Sequence, residues 1–125
     1  MATVYNNRED VDNPRLENDT GADLVQYEAT VIGGVWAAVA NEAIADGEVG
    51  SFQVQDGVHF HIDNLVYGED TFATFGQPVY FDPDTGDFSD TETAGYYLWG
   101  NLVLAKDANG MIVVEKRRRA VLVTT

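Results

Sequence analysis

The chain has 125 residues, no cysteine, and 21 acidic against 7 basic residues, for a net charge of −14. At this length one domain with a real core is expected, without disulfides, thiolate metal sites or thiol chemistry. A chain this acidic does not read as a nucleic-acid binder, because phosphate binding requires clustered positive charge.

The N-terminus lacks the apolar stretch of a signal peptide, and no apolar run approaches the roughly 20 residues that span a bilayer. A soluble product made in the cytoplasm, with no membrane partner, is expected. Residues 1–20 are polar and rich in turn formers (Asn6-Asn7, Asp12-Asn13-Pro14, Asn18-Asp19-Thr20-Gly21). They show neither helical nor strand periodicity, so an extended N-terminal arm is expected over 1–20 and a β domain over 21–125.

Ala22–Ala29 reads as a short strand with Leu24, Val25 and Tyr27 as its apolar positions. Gly33-Gly34 marks a tight turn. The segment from Val31 to Val39 is almost wholly apolar, as a strand buried on both faces would be. After an acidic turn at Asp46-Gly47-Glu48, residues 51–63 alternate. Phe52, Val54, Val58, Phe60 and Ile62 share one parity with Asp56, and polar residues fill the other. This is the pattern of one half-buried strand, bent at Asp56-Gly57.

Pro78–Asp82 begins with proline, which a strand tolerates at its first position. Pro83–Gly86 has turn chemistry and Asp87–Ser89 returns. Tyr96–Ala105 is a strand, broken or bulged at Gly100. Asn109-Gly110 matches a two-residue type I′ hairpin, and Met111–Thr125 closes the chain, bent through Lys116–Arg119. No helical period is sustained. The fold expected is all-β: a small single-domain barrel or sandwich with little helix.

Three constellations could carry chemistry. His59, His61 and Asp63 share a strand face, and two imidazoles with a carboxylate suit a metal, as in a cupin-like barrel enzyme. No third histidine exists to complete that set, and two exposed histidines on a polar face is the simpler reading. Asp82, Asp84, Asp87 and Asp90 offer oxygen ligands at calcium-like spacing, yet EF-hand spacing is not met and an acidic turn accounts for them. Lys116, Arg117, Arg118 and Arg119 form the one basic run. With Lys106 they are five of the seven basic residues. The run is either a solvated edge that blocks strand pairing or a contact for an acidic partner. Neither serine lies in a nucleophile elbow, and no metal or other cofactor is expected. A carbohydrate-binding sandwich displaying Trp36, Trp99 or Tyr96 is a further alternative.

Several segments, in order, resemble the capsid cement, or head decoration, proteins of tailed bacteriophages. They are Gly34–Val39, Ala45–Gly50, Asp56–Ile62, Phe75–Asp82 and the closing Val113–Val123. The resemblance covers about residues 21–124. It departs at His59 and His61, where that family often has aliphatic or acidic residues, and at the unusually basic 116–119 run. It implies a β-tulip-like body and a non-enzymatic structural protein. It further implies a virion location on the outer capsid surface, the major capsid protein as partner, and a homotrimer on the shell. On this reading Val4, Tyr5, Arg8 and Leu16 anchor the arm to the capsid, since aromatic, arginine and aliphatic side chains dominate interface energetics. Lys116–Arg119 would contact a neighbouring subunit or the capsid.

Overall fold

The computed structural model describes residues 12–65 and 71–125. It contains nine strands: β1 (Arg15–Glu17), β2 (Ala29–Ile32), β3 (Trp36–Ala40), β4 (Val49–Gln53), β5 (His59–Ile62), β6 (Pro78–Phe81), β7 (Phe88–Ser89), β8 (Tyr97–Leu104) and β9 (Ile112–Leu122). No helical element occurs among the described residues. The protein is all-β, and its named strands pair antiparallel throughout.

The sheet runs in the order β1-β4-β3-β9-β8-β6-β7, with β2 also paired to β3 and β5 also paired to β9. β3 is the pivot. After Trp36 its side chains are small (Ala37, Ala38, Val39 and Ala40), so a core can close on both faces. Ala37 and Val39 face a large core that holds Trp99, Phe72, Phe88 and Phe81. Ala38 and Ala40 face a second, smaller core with Leu24, Ile44, Phe52 and Val54. The expected strand buried on both faces is therefore present, although it is shorter than Val31–Val39. Gly33 and Gly34 both take positive φ between β2 and β3.

The large core is aromatic. Trp99 is fully buried and meets Phe88 edge-on, with ring centroids 5.0 Å apart. Its indole N–H donates to the Thr30 carbonyl at 2.9 Å, which ties β8 to β2 across the core. Burying the ring with its one donor satisfied is what makes a tryptophan stabilising there.

Residues 51–63 are not one bent strand. They form β4 and β5, separated by a turn at Asp56-Gly57 in which Gly57 has φ 84°. β4 pairs with β1 and β3, whereas β5 pairs with β9. The alternation survives the turn but changes target: Phe52 and Val54 enter the small core, Phe60 and Ile62 the large one. Period-2 patterning reports which side chains are buried, not against what, so the sequence could not separate the two strands.

Two further expectations are corrected. Ala22–Ala29 is not a strand: Leu24 makes an isolated bridge to Ile44, and Val25–Glu28 is a turn that leaves Val25 and Tyr27 outside. The Asn109-Gly110 hairpin is not type I′, because only Gly110 has positive φ there. The Asp107 carboxylate accepts the N–H groups of Asn109 and Met111 instead and holds a longer loop closed. The irregularity expected at Gly100 is present as a bulge: β8 runs unbroken over Tyr97–Leu104, but its register against both β6 and β9 shifts between Leu98 and Gly100. A Cβ at that position would lie 2.5 Å from the Glu115 carbonyl oxygen, so glycine here permits close approach of β9.

Part of the stretch read as an arm lies in the body. Arg15–Glu17 pair with Val49–Ser51 as β1. Asn18 is buried: its side-chain amide donates to the Ala22 and Ile44 carbonyls, and its oxygen accepts from Thr20. Residues 1–11 lie outside the described residues.

Candidate functional site

β9 carries the one basic run, and its bend decides where those charges go. From Ile112 to Glu115 the strand sits between β5 and β8. Beyond that the register with β8 slips. β8 advances two positions, from Leu98 to Gly100, while β9 covers five, from Val121 back to Lys116. The surplus residues of β9 bulge outward, and the strand changes neighbour, pairing Arg119 with Trp36 of β3. A bulge of this kind re-aims side chains that a regular strand would send to alternate faces.

The four basic residues separate accordingly. Lys116 points inward and is 1% exposed. Its ammonium donates to the Ala37 carbonyl at 2.9 Å and the Arg117 carbonyl at 2.8 Å, so it pins the bulge to β3. Burial pushes its pKa down from 10.5 to about 8; the Asp56 carboxylate opposes the shift and Arg118 adds to it. Lys116 thus remains charged at neutral pH, held by carbonyls inside the fold.

Arg117 and Arg118 are half-buried and Arg119 is exposed. The guanidinium carbons of Arg118 and Arg119 each lie 5.4 Å from the centre of the Trp36 ring. Stacking on the aromatic face holds them without the desolvation that a buried ion pair would require. Arg118 also lies 3.7 Å from the Asp12 carboxylate, and its backbone N–H donates to Asp56. Arg117 and Arg119 make no ion pair among the described residues. A groove of about 590 Å³ runs over this bend, lined by Asp56, Asn101, Glu115 and the 116–119 run.

The other predicted residues lie elsewhere. Leu16 packs half-buried against the small core, and Val4, Tyr5 and Arg8 fall outside the described residues. His59, His61 and Asp63 are exposed, and no three potential metal ligands converge among the described residues. The Asp82 carboxylate is taken up by its own turn, accepting from the Asp84 N–H and the Thr85 hydroxyl. Trp99 is sealed in the core and Trp36 lies beneath arginines, so neither is displayed as a sugar-binding platform would need.

The phage cement protein family model matches residues 10–117, which takes in the arm's root, nearly all of both cores and the first two residues of the basic run. The chain belongs to the phage cement protein family. No curated protein and no solved structure matches it. As a cement protein it is a virion component with a capsid-associated structural role.

Two features of this cement protein escaped the sequence. Tyr27 has φ 69° and is 74% exposed, yet as an apolar position near Leu24 and Val25 it suggested no more than a strand. Asn18 sits in what reads as a plain turn. The signal available for it was Asn18-Asp19-Thr20-Gly21, a cluster whose side chains commonly bond their own backbone.

Proposed function

We propose that this chain is a non-enzymatic decoration protein that binds the outer surface of an icosahedral phage head and clamps neighbouring copies of the major capsid protein. The family match over residues 10–117 carries this reading. Charge supports the outer face. A chain of net charge −14 is repelled by packaged nucleic acid and keeps particles apart in solution.

The division of labour follows from the fold. A sheet with cores on two sides gives a fixed footprint. Val4, Tyr5 and Arg8 reach the shell from a segment whose root, β1 with Leu16, is bound to β4. Copies related by symmetry, as homotrimers, add avidity without strong individual contacts. The exposed part of the 116–119 run meets an acidic surface on a subunit or on the capsid.

The test is co-sedimentation of the purified protein with expanded, undecorated heads. Saturable binding at a fixed ratio to the major capsid protein is expected, and strong weakening when residues 1–11 are deleted. Failure of the full chain to bind would overturn the reading. Undiminished binding by the deletion variant would overturn only the role of the arm.

A further inference from the structure

Four turns among the described residues share one design, and unlike the Ile32–Val35 turn none has positive φ at its second residue. In each, an N–H bonds back to the carbonyl three residues earlier, as Glu28 to Val25, Glu48 to Ala45, Gln77 to Thr74 and Tyr96 to Thr93. In each, the third residue has positive φ: Tyr27, Gly47, Gly76 and Gly95. Glycine occupies this position in three turns because an L side chain there is strained, on the order of 1–2 kcal/mol. Tyrosine occupies the fourth. Tyr27 is 74% exposed and Val25 64% exposed, so packing within the chain does little to offset the strain. Large apolar side chains raised on a strained, water-facing turn are features that binding to another molecule would explain.

The turn's surroundings indicate the charge of its partner. Glu28 belongs to it, and Asp63 and Asp87 line the same flank, where His61 is the one titratable group that can carry positive charge. Its partner is therefore a basic surface with room for a protruding turn. The chain itself has one. The groove over the β9 bend carries Arg117 and Arg119 without ion-pair partners among the described residues, against Asp56 and Glu115 as its acidic groups. The groove and the flank of the turn share no lining residue, so both are available on one copy at once.

We infer that the Val25–Glu28 turn of one copy docks in the Arg117–Arg119 groove of the next. Tyr27 lies against a guanidinium and Glu28 with its neighbouring carboxylates faces the arginines, a combination of cation–π and charge contacts. The contact is head-to-tail, so it closes a ring where the rotation allows. It deepens the proposed function by choosing the neighbouring subunit, rather than the capsid, as the partner of the basic run. It rests on the reading that copies sit side by side on a shell.

The absence of native cysteine makes the test clean. Val25→Cys and Glu115→Cys place single thiols on the turn and in the groove without removing a basic residue. The two variants are mixed and oxidised mildly, both free in solution and bound to heads. A disulfide between unlike partners, well in excess of either like pair and suppressed by high salt, is expected. Adding Tyr27→Gly to the Val25→Cys variant should remove that cross-link while leaving the thermal midpoint unchanged or higher. Absence of the mixed disulfide both in solution and on heads would overturn the inference, as would an excess of like pairs. So would loss of head binding by Arg117→Glu/Arg119→Glu with no cross-link between copies in the parent pair, which would assign the groove to the capsid. Failure of all variants to bind heads would speak against the shell reading, while the solution cross-link would still decide this contact.

Discussion

On one face of β3, Ala37 and Val39 look into a core of rings packed edge-on; on the other, Ala38 and Ala40 look into a smaller core with Phe52 as its one fully buried ring. The first core is closed by long strands, β8 and β9, and by the Trp99 bond to Thr30. The second is closed by short strands and by polar devices: the Leu24–Ile44 bridge and the buried Asn18 amide. The difference teaches how a chain of this size holds two layers. Where apolar area is plentiful, packing fixes most of the geometry and one buried donor needs a partner. Where it is scarce, backbone carbonyls must be matched one by one.

That contrast can be broken at its strongest point first. Trp99→Ala should cost about 3–5 kcal/mol and loosen both layers, because the ring spans from β8 to β2. Urea unfolding followed by circular dichroism measures it, and a loss under about 1 kcal/mol would contradict the central place given to this ring.

Lys116 lies at the junction of the layers and offers the next largest effect. Its pKa in the fold, about 8, is below the ordinary 10.5, so between these values the unfolded chain binds more protons than the folded one. Stability contributed by this group therefore rises as pH climbs from about 8 to about 10.5, by at most about 3 kcal/mol. Denaturation midpoints of the wild-type chain and Lys116→Met across that window should diverge in the wild type's favour. Parallel profiles would mean that the ammonium is not desolvated.

Gly100→Ala comes third. Its Cβ would meet the Glu115 carbonyl and a Val114 methyl, forcing β8 from β9 at a loss of about 1–3 kcal/mol, read as a lower thermal midpoint. An unchanged midpoint would show that the strands give way freely. Asn18→Ala is the mildest and most local change. It leaves the Ile44 carbonyl without the Asn18 donor, for about 1–2 kcal/mol. Hydrogen exchange should quicken over 15–53 and stay unchanged in β8 and β9. Uniform quickening would make the two layers one cooperative unit.

The same contrast governs what could be read from the sequence. β6, β7, β8 and the bend of β9 were legible because proline, turn residues and long apolar runs mark them. The doubly buried β3 was legible for the same reason. The small layer was not. Its closure depends on an asparagine amide and on a turn containing Tyr27, and neither leaves a hydrophobic period. The basic run was visible as a cluster, but its separation was hidden. Only the register slip against β8 sends Lys116 inward and leaves Arg117 and Arg119 to the groove.

The most direct measurement of the central claim is a difference map from electron cryomicroscopy of heads with and without the protein. Added β-rich density is expected on the outer face, at a fixed ratio to the major capsid protein, in heads that resist heating better. Density on the inner face, or none at saturating protein, would contradict it.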